Sequence, residues 1–165
     1  MQRFSIEPVR PEDVGHVMDM IAELAAFERL EHLLECTPAQ LSSALFGQDK
    51  CIEAVLCWAE ENGGRVAVAY AIYFHNFSTF LGKRGLYLED LYVRPDHRHR
   101  GCARGILSHL AGLAIERGCG RFEWTVLDWN TAAQDVYRSI GAEVLPEWRI
   151  TRMTGDSIKR LADGK

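Results

Sequence analysis

The stretch LYLEDLYVRPDHRHRGCAR, residues 86–104, runs from an apolar segment through a basic turn into the start of a helix. Leu86 to Val93 are mostly strand formers, interrupted by Glu89 and Asp90, and Pro95 ends the run. Beyond Gly101, the residues Ala103, Ile106, Leu107, Leu110, Leu113 and Ala114 recur at three- and four-residue steps. That spacing predicts a helix with one apolar face, stopped by Gly118. A helix start that follows a strand presents unpaired N–H groups and the positive end of a dipole, and arginines beside it add charge. The turn therefore suits a pyrophosphate. It is not a Walker loop, because no Gly-Lys-Ser/Thr follows, and it lacks the GxGxxG of a dinucleotide fold.

Working outward, CIEAVLCWAE (51–60) and RVAVAYAIYFHNF (65–77) flank Asn62-Gly63-Gly64 and read as an antiparallel hairpin. STFLGKRG (78–85) reads as the loop leading into the 86–93 strand. FSIEPVR (4–10) alternates like a short strand, and Val14, Val17, Met18, Ile21, Leu24 and Ala25 mark a helix to about Leu30. A second helix is signed at both ends: Thr37 as N-cap, Pro38 at the first helical position, Gln40 three residues after the cap, and Gly47 as stop. Downstream, RFEWTVL (121–127) reads as a strand, TAAQDVYRSI (131–140) as a short helix capped by Asn130 and stopped by Gly141, and WRITRM (148–153) as a last strand before a polar tail. The order predicts a mixed sheet with helices packed on it, in the α/β or α+β range, and one domain over 1–165.

Charge narrows the function. Four arginines against Asp96 give residues 94–104 a net +3, which leaves −7 on the rest of a chain whose formal net charge is −4. An acidic body argues against nucleic acid as the partner, while a small anion at the patch and a cation elsewhere suit both signs. Five cysteines at irregular spacings, with no CxxC pair, predict free thiols in a reducing compartment. No apolar run approaches the roughly 18–20 residues that span a bilayer, so a cytosolic protein away from membranes is expected. His97 and His99 lack complementary ligand spacing and sit among arginines; they read as solvated loop residues, with no metal site.

The ordered set of LYLEDLYV, the Arg98-to-Ala103 RxxGxA pattern, VLDWN (126–130) and VYRSIGA (136–142), with LAAFERLE (24–31) before it, resembles the GNAT N-acetyltransferase superfamily. It is most similar to the branch of diamine (spermidine/spermine) and thialysine acetyltransferases, and the likeness runs over about residues 4–154. The resemblance implies a GNAT fold, a mixed and mostly antiparallel central sheet with helices on both faces. It implies that Arg98, His99, Arg100, Gly101, Cys102, Ala103 and Arg104 bind the pyrophosphate of acetyl-CoA. Leu91, Tyr92 and Val93 would pair their backbone with the pantetheine, and Asn130, Thr131, Ala132 and Ala133 match further cofactor positions.

Glu89 and Asp90 face opposite sides of a regular strand, so at least one meets packed surface unless a cleft or a bulge intervenes. An alkylammonium, with a pKa of about 10.4, must lose a proton before it can attack a thioester. The resemblance gives that task to Glu89 and leaves Asp90 structural. It makes Tyr137 the acid that protonates the departing thiolate, with contact to the cofactor sulfur. For the acceptor it points to Phe27, Glu28, Glu123, Trp124 and Glu147 beside Trp148, acids and aromatics able to hold a cation. The expected partners are acetyl-CoA as co-substrate and a small cationic amine, with a homodimer assembled through the C-terminal strand. A transferase acting on a protein lysine or N-terminus, and a non-catalytic acyl-CoA-binding module, are the alternatives.

Overall fold

The computed structural model describes residues 4–61 and 63–164. Asn62 of the expected Asn62-Gly63-Gly64 turn lies outside the described residues. The chain divides into two compact units, Met1–Thr125 and Val126–Lys165.

The first unit holds β1 (Phe4–Pro8), α1 (Val14–Glu28), α2 (Pro38–Phe46), β2 (Glu53–Glu61), β3 (Gly64–Ser78), β4 (Lys83–Val93), α3 (Cys102–Glu116) and β5 (Arg121–Trp124). The strands lie in the order β1-β2-β3-β4-β5. All neighbours are antiparallel except β4 and β5, which run parallel. A parallel pair needs a crossover, and α3 supplies it. β4 begins at Lys83, so part of the expected loop is strand, and β5 ends at Trp124, three residues short of the expected end.

Helices cover both faces. Val14, Val17 and Met20 of α1 and Leu41 and Leu45 of α2 join Ala54, Leu56, Tyr70, Ile72 and Tyr92 in one buried cluster. The residues that alternate with these, such as Val55, Cys57, Ala69, Ala71 and Leu88, are buried on the other face, where Ile106, Leu107, Leu110 and Ala114 of α3 are also buried. Local chemistry starts α2: Thr37 Oγ1 accepts from Gln40 N at 3.3 Å, and Gln40 Oε1 accepts from Thr37 N at 2.9 Å, a reciprocal cap. Gly47 ends it by close approach, because a Cβ there would stand 2.5 Å from Ser43 O.

Two bulges interrupt the sheet. Cys57 faces Ala69 but Trp58 faces Ala67, which leaves Val68 of β3 as an extra residue. Asp90 faces Ile72 but Leu88 faces Tyr73, which leaves Glu89 of β4 as another.

The second unit holds α4 (Thr131–Ser139) and α5 (Asp156–Ala162). Residues 148–153 form no strand, contrary to the alternation of WRITRM, and Trp148 and Ile150 are exposed at 71% and 67%. Alternation describes a strand only when a partner takes up its backbone groups, and no described strand does so here. The expected polar tail instead forms α5, with Asp156 in its first turn and Lys159 and Arg160 in its last, the charges a helix dipole favours. Among the described residues, no helix is long and apolar enough to cross a membrane.

Candidate active site

The bulge at Glu89 sets which way the carboxylates of β4 face. In a regular strand Leu88 and Asp90 would share a face. The extra residue between them reverses the alternation, so Leu88 lies opposite Tyr73 while Asp90 lies opposite Ile72, on the face of α1 and α2. Glu89 itself is exposed. Asp90 Oδ2 accepts a hydrogen bond from the hydroxyl of Tyr70 at 3.2 Å.

Three carboxylates gather here. Burial raises Asp90 from the ordinary carboxylate range to about 6, helped by the charges of Glu89 and Glu28 and opposed by the hydrogen bond from Tyr70. Burial also raises Glu28, at the end of α1. Among the described residues none of the three is in an ion pair, so the group is rich in negative charge with no internal cation. Such a group favours an arriving cation.

Past the bulge, β4 pairs with a described strand on one side only. Its pairing with β5 covers Gly85 to Leu88 and stops where Leu88 meets Trp124, whereas pairing with β3 continues to Val93. On the β5 side, residues 89–93 therefore face no described strand, and the backbone groups aimed that way are available to an extended ligand.

The turn into α3 is built to leave its donors open. Gly101, the N-cap, has φ 87°, a left-handed conformation that a glycine adopts without strain, and it offers no side chain to cap the first turn. His99 is also left-handed, at φ 59°, which brings two left-handed residues into three positions. Cys102 is buried, Ala103 is half-buried, and Arg100 and Arg104 are exposed. Arg98 has a different post: its guanidinium lies 4.7 Å from the ring centre of Phe27 and 5.7 Å from that of Tyr92, and its Nε donates to Val93 O at 3.0 Å. It joins the end of α1 to the end of β4.

Two residues of the basic window point inward. Arg94 is paired, its Nη2 donating to Glu23 Oε1 at 2.9 Å and its Nη1 to Ala67 O at 2.9 Å. His97, expected in solvent, is buried with Nε2 2.7 Å from Glu61 Oε1. Neither partner is near in sequence, so no local signal marks these contacts.

Of the remaining acceptor candidates in this unit, Glu123 is on β5 and accepts from Asn76 Nδ2 at 2.9 Å while Arg121 Nε lies 3.0 Å from its other oxygen. Trp124 packs edge-on to Phe122, with ring centres 4.9 Å apart. In the second unit, Asn130 is the N-cap of α4 and its Oδ1 accepts from Ala133 N at 3.2 Å. Thr131 and Ala132 are exposed in the first turn, and Tyr137 is half-buried two turns into the helix. Glu147 is exposed outside any helix or strand. Gln134, which the sequence did not single out, is buried and donates to Asp128 O at 2.9 Å while accepting from Arg138 at 3.0 Å, which ties the VLDWN segment to α4.

Comparison with known proteins follows the same lines. The model of the acetyltransferase (GNAT) family matches residues 18–142. The chain is 37% identical over 164 residues to a thialysine N-epsilon-acetyltransferase of Mus musculus, covering 95% of this chain and 96% of the relative. It is 29% identical over 193 residues to an L-ornithine N5-acetyltransferase of Arabidopsis thaliana, covering 92% of this chain and 84% of that one. Among solved structures, an integron cassette protein from the mobile metagenome of V. cholerae superposes with a TM-score of 0.77 at 24% identity, covering 96% of this chain and 97% of that one. That likeness shows the fold.

Proposed function

Because the chain belongs to the acetyltransferase (GNAT) family, we propose that it moves an acetyl group from the thioester of acetyl-CoA directly to the primary amine of a small cationic acceptor, a diamine, a polyamine or a thialysine-like amino acid. The observation that carries the acceptor class is the group of Glu28, Glu89 and Asp90, three carboxylates without an internal cation at a bulge in β4. The relatives named for acetylating thialysine and ornithine, both amine-bearing amino acids, support it.

In this reading the cofactor lies along the open side of Leu91, Tyr92 and Val93, and a backbone N–H there polarises the acetyl carbonyl. The uncapped first turn of α3 receives the pyrophosphate, with Arg100 and Arg104 beside it. Arg98 acts on the rings of Phe27 and Tyr92 and so positions both halves of the site. Glu89, the exposed member of the carboxylate group, takes the ammonium proton through a water. The free amine then attacks the thioester carbonyl, the tetrahedral adduct collapses as its C–S bond breaks, the phenol of Tyr137 gives its proton to the CoA thiolate, and the proton shed by the new amide nitrogen restores the phenol. Asn130, whose side chain also caps α4, contacts the cofactor together with Thr131, Ala132 and Ala133. A homodimer in the cytosol belongs to the same reading, and sedimentation tests the assembly.

The decisive assay follows thiol release from acetyl-CoA with a panel of diamines, polyamines, thialysine, ornithine, lysine and a lysine-bearing peptide. Turnover is expected with the small cationic amines above the peptide. Tight CoA binding without turnover on any amine would overturn the enzyme reading, and preference for the peptide would move the acceptor to proteins.

A further inference from the structure

The acetyl transfer proposed above makes no use of two buried sulfur atoms on the face of the sheet that α3 covers. Cys57 of β2 is 0% exposed and Cys102, the first residue of α3, is 2% exposed. Their Sγ atoms stand 2.8 Å apart, with the Cys102 thiol donating to the Cys57 sulfur. Both are free thiols, and 45 residues separate them in the chain. The two backbones are held in this relation independently of the sulfurs. Cys57 sits at the bulge between β2 and β3 and faces Ile6 across β1. One turn along α3, a Cβ on Gly105 would stand 3.4 Å from Ile6 Cδ1, so the head of the helix is seated directly on this pair of strands.

We propose that Cys57 and Cys102 form a modification site, closing into a reversible intramolecular disulfide when the protein meets a peroxide. The three other cysteines are exposed or half-buried and have no such partner sulfur among the described residues. The donated hydrogen bond holds Cys57 below the ordinary thiol range and Cys102 above it, which assigns the roles. Cys57 thiolate attacks one oxygen of hydrogen peroxide, the O–O bond breaks, and hydroxide leaves with the displaced electron pair, leaving Cys57 as a sulfenic acid. The Cys102 sulfur then attacks the Cys57 sulfur, the S–O bond breaks, and water departs with the Cys102 proton. In total two thiols are oxidised by two electrons and one peroxide is reduced to two waters. A disulfide bond is about 2.05 Å long, so the sulfurs close by less than about 1 Å from the 2.8 Å at which they stand. Burial keeps bulky oxidants out, so the oxidant proposed is the smallest peroxide. The bond pins to β2 the helix start to which the pyrophosphate was assigned.

The test exposes the whole protein, and a Cys36→Ser/Cys51→Ser/Cys119→Ser variant that keeps only the pair, to hydrogen peroxide at neutral pH. Expected are a mass lower by about 2 Da in the variant, loss of both thiols to alkylation after unfolding, a linked peptide joining Cys57 to Cys102 in both proteins, and full reversal by dithiothreitol. Both thiols remaining alkylatable, or a gain of oxygen with no linked peptide, overturns the proposal. So does a link that forms only in urea, because the folded geometry is then not its cause. If the variant does not fold, the linked peptide from the unaltered chain decides alone. None of these readouts depends on which amine, or whether any amine, is acetylated.

Discussion

The Tyr70 hydroxyl, on a side chain fully buried in β3, donates to Asp90 Oδ2 at 3.2 Å across the pair of strands that carries the Glu89 bulge. This bond partly offsets what burial does to Asp90, whose pKa is pushed up to about 6. Between the unfolded value, about 3.9, and the folded one, the native state holds the proton more tightly than the unfolded chain. The stability this contributes is full below the unfolded value and is lost as pH rises through about 6. Asp90→Asn keeps an acceptor for Tyr70 and removes the ionisation. It is expected to unfold at higher urea than the parent at pH 8, by up to roughly 3 kcal/mol, and the gain should vanish below about pH 4. A gain independent of pH would show that ionisation is not its source. Tyr70→Phe should cost about 1 kcal/mol and, with the bond that favours the charged form gone, move the Asp90 titration to higher pH.

Glu89→Gln leaves the bulge and its exposed position intact and removes the proton acceptor. The expected outcome is a fall in kcat/KM of about 100-fold near pH 7 with no change in the urea midpoint. Thiol release at several amine concentrations measures it. A kcat/KM within about twofold of the parent would remove Glu89 from the proton transfer.

Tyr137→Phe deletes one hydroxyl from α4. A lower kcat with KM for acetyl-CoA nearly unchanged is expected, because the phenol is needed only as the thiolate departs. A rise in KM at constant kcat would make Tyr137 a binding residue instead.

Arg94 and Arg104 are expected to separate stability from cofactor binding. Arg94→Ala breaks the pair with Glu23 and the bond to Ala67 O, and should lower stability by about 1–3 kcal/mol in urea unfolding. Arg104→Ala, at an exposed position in the first turn of α3, should leave the urea midpoint in place and weaken acetyl-CoA binding, with a shallower dependence on salt. Calorimetric titration at two ionic strengths reads the second effect; equal salt dependence in parent and variant would count against Arg104.

Gly85→Ala tests the strand pairing around Glu123. A Cβ there would stand 2.3 Å from Asn76 Oδ1 and 2.9 Å from Arg121 Cγ, so Asn76 must shift and its bond to Glu123 is lost. A loss of about 1–3 kcal/mol is expected, from overpacking. A melting temperature equal to the parent's would mean that Asn76 repacks at no cost.

Much of the first unit was legible because its signals are local. The reciprocal cap of Thr37 and Gln40 spans four residues, the apolar faces of α1 and α3 repeat every turn, and Gly118 stands at positive φ just past its helix. Each contact there lies within reach of its own segment. The misreadings share the opposite cause. His97 reads as solvated because Glu61 is 36 residues away, and nothing near Arg94 in sequence announces its pairing with Glu23, 71 residues away. WRITRM has the alternation of a strand, but alternation does not create the neighbour that a strand needs.

By itself the sequence determined that residues 86–104 pass from strand through a glycine-capped turn into an amphipathic helix, because backbone propensity and apolar period are written residue by residue. It also placed two adjacent carboxylates in that strand without deciding which way either pointed. Only the tertiary structure decided that. Register between β3 and β4 leaves Glu89 unpaired and turns Asp90 toward Tyr70, and β5, ending at Trp124, leaves β4 beyond Leu88 without that neighbour. Register is a property of two strands together, set by the packing of both faces, and neither strand carries it alone.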